Sequence, residues 1–199
     1  MGTENTENNT MSPGLDKRKV LFCGLNKTGT TSLHQAFVSA GLTAYHGKDW
    51  IRWFNETKLP DEYDMYCDGS VERLRLNLLS ASNHIIILNT RPLFNWLVSR
   101  CKHARAGYRL GRRPDFDQNQ ISQWLYSRKS WHKRLLKLDP FVFNIEDKDS
   151  HAKLSEHLGI DLTIPHVNKR EDVTEDIIQA VTSVLSENVP KQQWNTLLV

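Results

Sequence analysis

Cysteine is scarce in this chain. Only Cys23, Cys67 and Cys101 occur among 199 residues, with no Cys-x-x-Cys pair. A sparse, odd set argues against a disulfide framework or a cysteine zinc site and points to reduced thiols. Long apolar runs are missing too: none approaches the ~20 residues of a membrane span. Residues 1–16 lack the apolar core of a secretory leader. These absences predict a cytoplasmic protein with no membrane span. The formal net charge is only +3, which gives no ground for a nucleic-acid partner. There is no internal repeat and no linker that would split the chain.

What is present suits one globular unit. Hydrophobic residues make up 39% and charged residues 25%, the balance of an ordinary domain with a real core. Residues 1–16 are rich in Asn, Thr and Glu and are expected to be a disordered tail. A single domain is expected over 17–199. The opening Met1-Gly2-Thr3-Glu4-Asn5-Thr6 fits the loose myristoylation pattern, but so short a pattern has many chance matches and a plain tail is the simpler reading.

Beyond the tail, apolar runs alternate with helical periodicity. Val20-Leu21-Phe22-Cys23 reads as a strand ending at Gly24, and 32–40 as a helix with Leu33, Ala36 and Phe37 on one face. Further strands are expected at 42–45, 63–67, 84–88 and 141–145. The run at 84–88 is apolar enough for a parallel strand buried on both faces. Helices are expected at 70–80, from Leu93 to about His103 after Pro92, at 121–138, and from Ser150 as cap to Leu158. Residues 104–119 read as a basic loop. Asp172 and Glu175 resemble a capping box for a last helix. The alternation predicts an α/β fold, three-layer α/β/α with a mainly parallel sheet, P-loop-like. Ligands of such folds bind beyond the carboxyl ends of the strands. His46, Asp68, Arg91 and the loop 24–31 all fall at expected strand ends.

That loop, Gly24-Leu25-Asn26-Lys27-Thr28-Gly29-Thr30-Thr31-Ser32, is a glycine turn entering a helix. Its amides and the helix dipole suit an anion. Lys27 adds a cation, and Thr30, Thr31 and Ser32 add hydroxyl donors. The nucleotide triphosphatase loop ends in Gly-Lys-Ser/Thr. Here Lys27 precedes Gly29 by two places. The strand at 84–88 runs into Asn89-Thr90-Arg91 rather than into a metal-binding Asp. An arginine there suits a phosphate.

The segment Lys27-Thr28-Gly29-Thr30-Thr31-Ser32 resembles the 5'-phosphosulfate loop of the sulfotransferases that use 3'-phosphoadenosine 5'-phosphosulfate (PAPS). Arg91 with Ser99 resembles that family's 3'-phosphate motif, in which an arginine closes a strand and a serine follows two helical turns on. Residues 141–146 and 154–159 look like the late strand and helix of small members. Lys169 and Arg170 resemble a late basic contact to the nucleotide. The likeness covers the first hundred residues well and the rest loosely.

The resemblance implies sulfuryl transfer from PAPS to a hydroxyl or amine of a small-molecule or glycan acceptor. No metal is implied. Lys27 would stabilise the leaving phosphate. Asp68 is the first candidate for the base and His46 the second; a structural Asp68-Gly69 turn and a structural histidine are the plain alternatives. The family's Lys-x-His pattern is missing after this strand, which leaves the base open. Tyr45, Trp50 and Trp53 suit either an acceptor pocket or the core. The basic segment 100–113 would cover the donor or attract an anionic acceptor. The chain is shorter than many members, so acceptor elements are expected to be reduced or to come from a partner subunit, as in a homodimer. Two rival readings are a P-loop kinase or nucleotidase and a non-catalytic nucleotide-binding protein of the same fold.

Overall fold

Our computed structural model describes Leu15 and residues 18–112, 115–165 and 173–197. Its centre is a five-stranded sheet. In chain order the strands are β1 (Val20–Phe22), β2 (Ala44–His46), β3 (Met65–Cys67), β4 (Ile85–Thr90) and β5 (Phe141–Asn144). Their spatial order is β2-β3-β1-β4-β5, and every pairing is parallel.

Alternation along the strands supplies two cores. On β1, Val20 and Phe22 face one side while Leu21 faces the other; Met65, Ile87 and Phe143 repeat this on neighbouring strands, opposite Tyr66, Leu88 and Val142. Two helices close the first side, α1 (Thr30–Ser39) through Leu33 and Phe37 and α6 (Lys148–Leu158) through Leu154 and Leu158. The second side is covered by α2 (Asp49–Glu56), α4 (Leu93–Arg109), α5 (Gln118–Leu135) and α7 (Glu175–Asn188), with the short α3 (Leu76–Ala81). The result is the expected three-layer α/β/α arrangement. Each large apolar side chain buried this way contributes ~1.5–3 kcal/mol.

The topology places a switch point between β1 and β4. The chain leaves β1 toward the layer of α1 and leaves β4 toward the layer of α4. Adjacent parallel strands whose connections part in this way open a crevice at their carboxyl ends. Close contact between the two strands depends on Gly24, where a Cβ would come within 1.8 Å of the Asn89 carbonyl oxygen.

Several local expectations need correction. The segment 104–119 is not a loop throughout, because α4 continues to Arg109. Residues 70–80 are not one helix: a 3-10 turn at Val71–Arg73 is separated from α3 by Leu74 and Arg75, and Leu78 is exposed. The cap of α6 is Asp147, whose carboxylate accepts from Asp149 N at 3.0 Å. Ser150 lies inside the helix, and its hydroxyl accepts from Asn144 N. Residues 1–14, Asp172 and the 166–170 segment lie outside the described residues. No described helix is long and apolar enough to cross a membrane.

Candidate functional site

The loop from Gly24 to Gly29 links β1 to α1 at the crevice. Its backbone is unusual at two points. Lys27 has φ 74° and Gly29 has φ 89°. Left-handed residues in such a turn curl successive amides into a concavity suited to an anion. Gly29 also has no room for a side chain, since a Cβ would lie 2.4 Å from Ile145 Cγ1. A left-handed lysine is disfavoured sterically, so the surroundings must impose its conformation.

Asn89 at the end of β4 supplies much of that constraint. It is fully buried. Its Oδ1 accepts from Gly24 N at 2.7 Å, and its Nδ2 donates to Thr28 Oγ1 at 2.7 Å. Thr28 in turn donates to Leu25 O at 2.6 Å. This satisfied network ties the loop to the strand beside it. Two indoles complete the fastening: Trp96 Nε1 donates to Asn26 O at 2.9 Å, and Trp131 Nε1 donates to Cys23 O at 2.8 Å.

On the β3 side, both candidate bases reach the loop. His46 Nε2 is 3.2 Å from Thr30 Oγ1 and 4.0 Å from Asp68 Oδ2. Asp68 has φ 73° and is followed by Gly69 at φ 95°, a turn held by Trp50 Nε1 donating to Asp68 O at 2.8 Å. Oriented to satisfy its neighbours, the Asn26 amide donates to Gly69 O at 2.7 Å and to Asp68 Oδ1 at 3.2 Å. Asp68 is thus both a turn residue and a carboxylate fixed beside the loop. His34 on α1 completes the group, its ring 5.6 Å from that of His46. Burial and the His46 charge push the His34 pKa below its usual range.

On the β4 side, Arg91 lies one residue beyond the strand. Its Nη1 donates to Lys27 O at 3.4 Å, and its Nη2 pairs with Glu146. Behind it lies Arg128, 1% exposed. Arg128 Nη2 donates to Arg91 O and to Leu197 O, each at 2.7 Å, and to Thr90 Oγ1 at 3.1 Å. Burial, then the Arg91 charge, lowers the Arg128 pKa to about 9. Lysine could not replace this guanidinium, which also stacks on Trp96 with its carbon 4.9 Å from the ring centroid.

The fold therefore brings Lys27, Thr28, Gly29, Thr30, Thr31, Ser32, His46, Asp68 and Arg91 to one end of the sheet. Ser99 is half-buried on α4, almost two turns after Leu93. Lys169 and Arg170 lie outside the described residues. Trp50 is fully buried in the core, whereas Tyr45 and Trp53 are half-buried with ring centroids 4.9 Å apart. The basic segment runs along α4 away from the crevice. Arg105 pairs there with Asp115 and Asp176, and Lys102, Arg105 and Arg109 line a separate cavity of about 360 Å³. Among the described residues, no group of three or more His, Cys, Asp or Glu is placed to hold a metal ion.

Sequence reasoning missed the roles of Arg128, Glu146 and Asn26. The Glu146 and Arg128 contacts to β4 and Arg91 span 37 to 55 residues, which no local pattern encodes. Asn89 carried a readable signal, an amide where triphosphatases place a carboxylate. Comparison with family models, curated proteins and solved structures found no match to this chain.

Proposed function

We propose that the chain is a sulfotransferase that moves a sulfuryl group from PAPS to a hydroxyl or amine. One observation carries this reading: Arg91 bonds the backbone of the lysine in the anion-binding turn. A cradle for one phosphate and a guanidinium for another therefore adjoin at the switch point. A nucleotide with separated 5' and 3' phosphates suits that pair.

The donor set supports PAPS over a magnesium triphosphate. At the end of β4, Asn89 uses both amide atoms on Gly24 and Thr28. It offers no carboxylate to a cation, and the next side chain suited to a phosphate is a cation itself. The buried Nε of Arg91, without a partner among the described residues, is a further donor beside the crevice.

In the proposed reaction the acceptor oxygen or nitrogen attacks sulfur in line. The bond from sulfur to the bridging phosphate oxygen breaks, and the new bond to the acceptor forms. Negative charge grows on the leaving oxygen. Lys27, the loop amides and the Thr30 hydroxyl stabilise it, one well-placed donor being worth ~3–4 kcal/mol. The acceptor proton passes to Asp68 or His46, which stand on the opposite flank of the loop from Arg91.

Incubating the purified protein with PAPS and a panel of phenols, alcohols, amines and sugars tests the reading. Acceptor-dependent release of 3',5'-bisphosphoadenosine supports it. Hydrolysis of ATP or GTP, with no sulfated product from any acceptor, contradicts it.

A further inference from the structure

Arg91 already has an anion. Its Nη2 pairs with one oxygen of Glu146, and the other oxygen accepts from Asn95 Nδ2 at 2.7 Å. Arg91 and Glu146 are similarly accessible, with side chains 24% and 22% exposed. Arg91 pairs with this carboxylate, and a second cation, the buried Arg128, stands behind Arg91 and donates to its carbonyl. Three of their nitrogens, Arg91 Nε and Arg128 Nε and Nη1, have no hydrogen-bond partner among the described residues. Positive charge and donor capacity therefore exceed what Glu146 satisfies.

The backbone beneath Glu146 is fixed. Ile145 N donates to Thr90 O at 3.1 Å, and the Ile145 side chain packs on Gly29. Asn144 Oδ1 accepts from Glu146 N at 3.1 Å. Freeing Arg91 thus requires a rotation of the Glu146 side chain, not a shift of the turn. A guanidinium presents one planar fork, which binds a carboxylate or a phosphate but not both at full strength.

We propose that Glu146 is a displaceable counter-ion on Arg91, holding the place that the 3'-phosphate of the nucleotide takes and thereby setting how strongly the site selects nucleotides carrying that phosphate. The proposal rests on the sulfotransferase reading for the identity of the phosphate ester, and on the ion pair for everything else. A fixed carboxylate at this point penalises every anion that reaches Arg91. A 3'-phosphate dianion overcomes the penalty by taking the fork and the orphaned Arg91 Nε. A nucleotide without that group leaves Glu146 undisturbed.

Calorimetric titration of the wild type, Glu146→Gln and Glu146→Asp with 3',5'-bisphosphoadenosine and with 5'-AMP tests this. Glutamine keeps the acceptor for Asn95 and the side-chain shape but removes the charge. The affinity ratio of the bisphosphate to 5'-AMP should rise about tenfold in Glu146→Gln and return close to the wild-type value in Glu146→Asp. An unchanged or lower ratio in Glu146→Gln overturns the proposal, because Glu146 would then merely orient Arg91. Should the wild type bind neither nucleotide, the sulfotransferase reading fails separately. Inorganic phosphate then becomes the probe: greater thermal stabilisation of Glu146→Gln than of wild type upholds the displaceable counter-ion, and equal stabilisation overturns it.

Discussion

Asn89 donates from Nδ2 to Thr28 Oγ1 at 2.7 Å, fastening β4 to the loop that follows β1. The same amide accepts from Gly24 N. Replacing Asn89 with Ala leaves two buried groups without these partners. At ~1–3 kcal/mol for each unsatisfied group, Asn89→Ala should lose about 2–6 kcal/mol in denaturant unfolding. A loss below ~0.5 kcal/mol, the range of neutral surface changes, would show that the loop is held by other contacts.

Lys27 combines a left-handed backbone with the proposed catalytic ammonium, and two substitutions separate these properties. Both Lys27→Ala and Lys27→Gly remove the charge, and each should lower kcat by ~10²–10³-fold. Only glycine relieves the backbone. Lys27→Gly should therefore be about 1 kcal/mol more stable than Lys27→Ala. Retained turnover in either variant would remove Lys27 from the mechanism.

Asp68 and His46 lie 4.0 Å apart, and kinetics can divide their roles. Asp68→Asn keeps the turn, because asparagine tolerates the left-handed region. As the first candidate for the base, Asp68 should cost ~10²–10⁴-fold in kcat when changed to Asn. His46→Ala should stay within about tenfold of the wild type. The opposite order of effects would assign the base to His46.

Arg91→Ala should weaken 3',5'-bisphosphoadenosine by tenfold to a hundredfold, the value of a charge-assisted contact at ~1.5–3 kcal/mol. Adenosine 5'-phosphosulfate should be affected far less. Equal losses for both ligands would show that Arg91 does not read the 3'-phosphate.

His132 predicts an acid response unrelated to the site. It is 2% exposed, and its Nδ1 has no hydrogen-bond partner among the described residues. Burial, then the Arg128 charge, lowers its pKa from 6.5 to about 3. The unfolded chain therefore binds a proton below about 6.5 that the folded chain refuses until about 3. Stability is undiminished above that window and falls as pH drops through it, by ~1.4 kcal/mol per unit for this group. His132→Leu should flatten the pH dependence over that window by about one proton. An unchanged slope would contradict the assignment.

Much of the architecture was legible because apolar runs such as Ile85-Ile86-Ile87 have few alternatives to a buried parallel strand. The Gly24 to Thr31 loop was legible because strand, glycine turn and hydroxyl-rich helix start occur in order. The extent of α4 was not. Gly107 and nearby cations suggested a loop, yet Gly107 is buried within the helix, so packing overrode local propensity. The helix expected over 70–80 shows the reverse error: a break at Leu74 and Arg75 interrupts it and leaves Leu78 outside the core. Arg91 could be read from its place after a strand. Its competitor Glu146 and its support Arg128 could not, since both arrive through tertiary contacts.

A site for an adenosine nucleotide phosphorylated at both 5' and 3' positions underlies every step proposed for Lys27 and Arg91. Thermal unfolding of the full chain with 3',5'-bisphosphoadenosine, and with ATP or GTP plus magnesium, tests it most directly. Ligand at a hundred times its Kd adds ~2.7 kcal/mol of stability, so the bisphosphate should raise Tm by several degrees while the magnesium triphosphates leave it near the unliganded value. Strong stabilisation by a magnesium triphosphate, with none by the bisphosphate, would rule that site out.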